Sequence, residues 1–243
     1  MTISPNDLVC DLAINNRSAI PVFERLGIDY CCNGQRPLAQ VCESAGLDAA
    51  AIIDELSRTT EPAQLALLTS KPLGELCAYI VRYHHQITRD ELERLGGLAA
   101  KVATRHGENH PELAGVADAF RRLNDDMLPH MMKEESILFP FVAQLERELE
   151  SGSQLTPPFF GTVQNPIRMM LAEHDVVGDI LRELRALSNG YQVPEDGCTS
   201  YRALYDGLSA LELLTHEHIH IENNIAFPRA VELESKAVAL VRA

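Results

Sequence analysis

The chain has 243 residues, 46% hydrophobic and only 5% aromatic, with no Trp, so Leu, Ile, Val and Ala must fill the core of one large domain or two unequal ones. A formal net charge of -14 at pH 7 argues against nucleic acid as a partner, because that binding relies on Lys and Arg neutralising phosphates. The N-terminus MTISPNDLVC has neither a basic nor an apolar stretch, and no window reaches the ~18 apolar residues of a membrane span, which predicts a soluble, cytoplasmic protein with reduced thiols.

Residues 1–58 read as a small helical module. Pro21 suits the first turn of a helix and Gly27 its C-terminal cap, so a short helix ends near Leu26. Asn33-Gly34 then marks a tight turn, and further helices are predicted from Pro37 to Ala45 and from Leu47 to Arg58. Residues 59–71, with Pro62 among them, read as a linker.

Residues 72–233 carry four amphipathic patterns that predict an antiparallel four-helix bundle. The first stripe is Leu73, Leu76, Ile80, His84 and Ile87, with Gly96-Gly97 as a break. The second runs from Leu113 through Val116, Phe120, Leu123, Met127, His130, Glu134, Ile137 and Phe141 to Leu145, and Pro129 within it predicts a kink. The third holds Ile167, Met170, His174, Val177, Leu181 and Leu184; the fourth holds Tyr201, Leu204, Leu208, Leu211, Thr215, His218, Glu222 and Ile225. Two loops rich in small and polar residues, Ser151 to Asn165 and Ser188 to Thr199, separate the last three.

The second and fourth stripes end alike. His130 to Pro140 and His218 to Pro228 both read H-x-x-x-E-x-x-I-x-F-P, the sign of a duplicated unit. Four residues along a helix is about one turn, so each His and its Glu share a face and can reach one metal site. His84 lies 46 residues before His130, and His174 lies 44 before His218, giving the pattern H, HxxxE, H, HxxxE on apolar stripes. Two inward carboxylates are costly in a dry core unless paired or bound to a cation. Imidazole and carboxylate without thiolate disfavour structural zinc and suit iron or manganese. By helical angle His216 and His220 face away from His218 and outward, while His85 flanks its stripe and Glu135 and Glu217 are solvated.

This pattern resembles the hemerythrin-like (HHE cation-binding) domain. With the run VFERLGIDYCCNG, whose D-Y-C-C turn is a hallmark of the N-terminal domain of the RIC (repair of iron centres, ScdA/YtfE-type) family, the whole chain resembles a member of that family. The resemblance implies an all-α fold with an ScdA-like N-terminal domain and a di-iron bundle. It implies two iron ions per chain, bridged by carboxylate and oxo groups, with His84, His130, His174 and His218 as terminal ligands and Glu134 and Glu222 as bridges. It also places a ligand at His106, in the context Ala99, Ala100, Lys101, Val102. In one straight helix His106 would stand about 33 Å from His84, so both bind one centre only if the chain reverses, for example at Gly96-Gly97.

Cys31 and Cys32 are either two thiols in a turn with one buried, or, as the resemblance implies, an exposed pair that handles iron, sulfur or nitric oxide. The implied function is repair of iron-sulfur clusters damaged by nitric oxide or peroxide, through iron donation, by a repair protein rather than a conventional enzyme. Damaged iron-sulfur proteins would then be its partners, and a homodimer is allowed. The competing classes are nitric oxide or oxygen binding or sensing, and nitric oxide reduction at the same centre; an oxygen carrier has no need of the D-Y-C-C module.

Overall fold

The computed structural model describes residues 3–16, 18–58, 64–154 and 156–242. The described part is all-α. Four short helices come first: α1 (Val9–Asn15), α2 (Ala19–Leu26), α3 (Leu38–Ala45) and α4 (Ala49–Ser57). Glycine at φ 67 (Gly27) and φ 66 (Gly46) ends α2 and α3, a left-handed cap that other residues adopt at a cost. Asp48 caps α4 by accepting from the amides of Ala50 and Ala51 at 2.9 and 3.3 Å. Helix α1 had no counterpart in the sequence reading.

The expected linker lies partly outside the described residues. From Gln64 the chain forms a 3-10 turn (Gln64–Leu67), and Leu65 and Leu68 are buried, so this stretch packs rather than spans.

Four helical rods follow. The first is α5 (Leu73–Tyr79), a π turn (Ile80–His85) and α6 (Gln86–His106); the second is α7 (Glu112–Lys133), a π turn (Glu134–Leu138) and α8 (Phe139–Ser151). The third is α9 (Gln164–Leu187), and the fourth is α10 (Thr199–Ile221), a π turn (Glu222–Ala226) and α11 (Phe227–Arg242). Helix α6 packs on α7 while α5 packs on α8, so the first two rods run antiparallel; α7 also packs on α9, and α6 on α10. Glu146 of α8 fastens the start of the first rod, accepting from the amides of Leu73 and Gly74 at 2.6 and 2.8 Å.

Helix α6 continues unbroken through Gly96-Gly97. The chain reversal that would bring His106 beside His84 is therefore absent. Pro129 likewise lies inside α7 without ending it.

The bundle interior has two apolar halves. One gathers Leu76, Ile80, Leu138, Val142, Met170 and Ile225, the other Leu92, Leu95, Leu123, Met127, Leu181 and Leu211. Between them lies a layer of buried His and Glu. The second apolar half is continuous with the core of the N-terminal helices, through Val9, Leu12, Phe23 and Tyr30.

Candidate metal centre

Three of the four rods change pitch where the polar layer lies. In each π turn a backbone amide reaches back five residues: Gln86 to Val81, Phe139 to Glu134 and Phe227 to Glu222. Such single widened turns are frequent at functional sites. In the two H-x-x-x-E-x-x-I-x-F-P copies the cause is local, because Pro140 and Pro228 follow at once; proline lacks an amide and its ring crowds the preceding turn, so a wider turn accommodates it.

Each π turn inserts about one residue into the helical phase. In the first rod, Ile80 is followed on the buried face by His85, Thr88, Leu92 and Leu95, whereas Ile87, expected inside, is 44% exposed. In the second, Leu138 and Val142 are buried in place of Ile137 and Phe141.

The result is two four-donor sets that share both carboxylates. His85, Glu134, His218 and Glu222 form one; His130, Glu134, His174 and Glu222 form the other, and in each the donor atoms all lie within 4.8 Å of one another. His85 Nε2 is 3.2 Å from His218 Nε2, 3.4 Å from Glu134 Oε2 and 3.8 Å from Glu222 Oε1. His174 Nε2 is 3.0 Å from His130 Nε2 and 3.1 Å from Glu222 Oε2. All six side chains are buried.

The structure thus gathers five residues named from the sequence, His130, Glu134, His174, His218 and Glu222, and adds His85. His84 is not in either set. It is buried beside the layer with its ring stacked on His218 at 5.7 Å, and neither ring nitrogen has a hydrogen-bond partner among the described residues. The missed signal was the interval: His85 lies 45 residues before His130, nearer than His84 to the 44 that separate His174 from His218. His106 stands at the far end of α6, its Nε2 3.2 Å from Cys198 Sγ and its ring against Tyr201.

Burial without compensation marks the layer as a cation site. Neither carboxylate oxygen of Glu134 has a hydrogen-bond partner among the described residues. Burial, reinforced by neighbouring Glu222, raises the Glu134 carboxyl. Glu222 is held well below the usual carboxylate range, since His218 and His174 outweigh the burial that opposes its charge. Burial also opposes the imidazolium of His85, yet Glu134 and Glu222 hold it up to about 10; His174 is held up to about 9 by Glu222 in the same way. Burial, with a smaller push from its histidine neighbour, lowers His130 to about 4 and His218 to about 3. A cation between the shared carboxylates would neutralise the orphaned oxygens and take up lone pairs that protons otherwise divide. The residues therefore fit iron, and the donor set of imidazole and carboxylate is of the type iron takes.

The outer nitrogens of three imidazoles are anchored. His85 Nδ1 meets Glu135 at 2.7 Å, and Arg89 donates to the same oxygen at 2.8 Å. His130 Nδ1 meets Glu173 at 2.9 Å, backed by Lys133. His174 Nδ1 meets Asn223 Oδ1 at 2.8 Å. Glu135, expected to be solvated, is thus a partner of the centre, and such partners fix ring orientation and raise ligand basicity.

The N-terminal module docks on α9 and the fourth rod. Asn223 Nδ2 donates to the Cys31 carbonyl at 3.2 Å, and Cys32 Sγ lies 4.0 Å from the His174 carbonyl. His216 and His220 do turn away from the centre, but the face they turn to is covered rather than solvated. His220 is fully buried, its Nδ1 3.1 Å from the Tyr30 carbonyl; His216 Nδ1 is 2.7 Å from Glu24. Asp29 organises the D-Y-C-C turn by accepting from the amides of Cys31 and Cys32 at 3.1 and 2.9 Å. Cys31 is buried and Cys32 half-buried, and all six cysteines are free.

A helical bundle whose core gathers four imidazoles and two carboxylates is a cation-binding bundle. Residues 78–230 match the Hemerythrin HHE cation binding domain, and residues 5–60 match ScdA_N, a Domain of Unknown function (DUF542). Iron-sulfur cluster repair protein ScdA of Staphylococcus haemolyticus is 30% identical over 93% of this chain and 98% of its own length. Iron-sulfur cluster repair protein YtfE of Yersinia pseudotuberculosis is 34% identical (92% and 96%), and that of Escherichia coli 33% (91% and 94%). The chain belongs to the hemerythrin HHE cation-binding family, in the ScdA/YtfE group that joins this bundle to an ScdA N-terminal domain.

Proposed function

We propose that the chain repairs iron-sulfur clusters damaged by nitrosative or oxidative stress by donating iron from a non-haem di-iron centre. The observation that carries this is the sharing of Glu134 and Glu222 by two complete donor sets, which provides for two ions side by side. His85 and His218 would hold one, His130 and His174 the other, and the two carboxylates would bridge. When bound, the iron pair supplies labile iron and one-electron exchange.

The chain's own residues do the rest. The two apolar halves exclude water from the layer, and Glu135 and Glu173 hold His85 and His130 with Nε2 turned inward. With iron on their Nε2 atoms the four imidazoles would be neutral, so the two carboxylates would be the only anionic protein ligands, which suits release of iron. Cys31 and Cys32 would pass it on. Both line a cavity of about 340 Å³ with Arg182 and Gly178; Cys32, half-buried, is the more exposed member, while Cys32 and burial push the Cys31 thiol well up. Damaged iron-sulfur proteins would be the partners. No described helix is long and apolar enough to cross a membrane, in keeping with a cytoplasmic setting.

The test is recovery of activity by a nitric-oxide-damaged iron-sulfur enzyme on adding the iron-loaded chain. Recovery is expected with the unaltered protein, much slower recovery with Cys31→Ala and Cys32→Ala together, and none with Glu222→Ala. No recovery with the unaltered, iron-loaded chain would overturn the proposal.

A further inference from the structure

The D-Y-C-C turn holds three donor side chains at the spacing of a metal site. Cys31 Sγ is 3.8 Å from Cys32 Sγ and 3.4 Å from Asp29 Oδ1, and one donor atom from each of the three residues lies within 4.8 Å of the others. Two sulfurs bound at about 2.3 Å to one tetrahedral cation stand about 3.8 Å apart, and a bound sulfur and carboxylate oxygen about 3.6 Å apart. The free thiols and the carboxylate thus already mark out the edges of a coordination tetrahedron.

We infer that Asp29, Cys31 and Cys32 form a second metal site, a three-donor cradle for a thiophilic divalent cation of the zinc or ferrous type, with its fourth position open to the cavity beside Arg182. The site requires neither iron in the bundle nor repair, and so stands apart from the function proposed above.

Nothing in the turn has to move to bring the donors together. Asp29 Oδ1 accepts from the amides of Cys31, Cys32 and Asn33 at 3.1, 2.9 and 3.3 Å, and Oδ2 accepts from Asn33 Nδ2 at 2.7 Å, which fixes the carboxylate against the thiols. Gly34 lets the turn close, since a Cβ there would stand 2.3 Å from the Tyr30 carbonyl oxygen. The fourth rod pins the turn from behind: His220 Nδ1 is 3.1 Å from the Tyr30 carbonyl, and Asn223 and Asn224 donate to the Cys31 carbonyl at 3.2 and 3.1 Å. A cation binding here is spared the ordering of its ligands.

The open side has the right surroundings. All three donors line the cavity of about 340 Å³, together with Arg182 and Arg185. Across from the turn α9 carries Gly178, where a Cβ would stand 3.9 Å from Cys32 Sγ and 3.5 Å from Arg182 Nη1, so sulfur and guanidinium share one side of the helix. A divalent cation on two thiolates and one carboxylate keeps a single net negative charge, which the guanidinium offsets. Thiolates select against magnesium and calcium, and a carboxylate beside them suits zinc or ferrous iron. Three protein donors with a fourth position open make an exchanging site, whereas structural sites close with four.

The test adds divalent cobalt to the metal-free full chain and reads thiolate-to-cobalt charge-transfer absorption. The bundle centre has no thiolate donor and cannot give this signal. The unaltered protein and Cys198→Ser, which removes the thiol beside His106, should both show it. Cys31→Ser and Cys32→Ser should each diminish it, and the double variant should abolish it. Asp29→Asn keeps an oxygen to cap the amides and loses the charge; it should bind cobalt about tenfold or more weakly, since even the outer partners of metal ligands are worth that much. Zinc or ferrous iron, added beyond what the bundle takes up, should displace the cobalt, and the one that does so at the lower concentration is the cation of the site. Magnesium should not displace it.

No charge transfer in the unaltered protein would overturn the inference, as would a band that survives in the double cysteine variant or equal affinity in Asp29→Asn. Displacement by magnesium, or by neither zinc nor ferrous iron, would do the same. A chain that shows the band and repairs no damaged enzyme keeps this site and loses repair, and one that repairs without the band loses this site alone.

Discussion

The Nε2 atoms of His130 and His174 face each other at 3.0 Å, and those of His85 and His218 at 3.2 Å. Two imidazole nitrogens stay this close only when a proton lies between them or when something else takes up both lone pairs. The pairs are crossed: His174, from the second copy, meets His130 of the first, and His85, from the first, meets His218 of the second. Each donor set therefore draws on both copies of the motif.

The first prediction concerns the adjacent histidines. His85→Ala should lower the iron bound per chain, because His85 Nε2 lies within 4 Å of Glu134, Glu222 and His218. His84→Ala should leave the iron content unchanged, since His84 belongs to neither donor set. Metal analysis of the two purified variants decides it; retention by His85→Ala with loss in His84→Ala would reverse the assignment.

Docking of the N-terminal module should depend on Tyr30. The ring is 1% exposed, packs on Phe23 and edge-on against His216 and His220, and its hydroxyl donates to Glu24 at 3.0 Å. Tyr30→Ala should cost about 3–5 kcal/mol in denaturant unfolding, the scale for truncating a buried aromatic. Tyr30→Phe, which keeps the ring and loses one hydrogen bond, should cost about 1 kcal/mol. Near-equal stability of Tyr30→Ala and the unaltered protein would mean that the module is not part of the bundle's core.

The third prediction follows His106 to where the fold puts it. The Cys198 thiol is lowered to about 7, first by the Tyr201 amide at the start of α10 and then by the His106 ring. Thiolate is the reactive form and is lost as pH falls through the thiol's pKa. Alkylation of Cys198 should therefore rise with pH through a midpoint near 7, and His106→Ala should move that midpoint upward. Cys198→Ser provides the background, and an unchanged midpoint in His106→Ala would show that the backbone amides act alone.

Most of the centre could be read from the chain because His130, Glu134, His218 and Glu222 lie within single helical turns, where spacing fixes direction. Uniform 3.6-residue periodicity through Ile80–His85 favours His84 over His85, and a π turn breaks that periodicity there. The same slip put Ile137 and Phe141 on the buried face instead of Leu138 and Val142. Helical angle turns His216 and His220 away from the centre, but an angle on one helix does not say what lies against its other face, here Glu24 and Tyr30.

By itself the sequence determined the all-α class, the duplicated motif, three of the four short N-terminal helices and the chemical type of the donor set. These are local properties: hydrophobic period, capping residues and the fixed distance between residues one turn apart. Only the tertiary structure decided that each donor set draws on both copies, that Glu134 and Glu222 belong to both sets, and that the D-Y-C-C turn rests against His174. Those relationships join residues 44 to 192 positions apart, and they arise from helix phase and packing, which depend on where the pitch changes and on what covers each face.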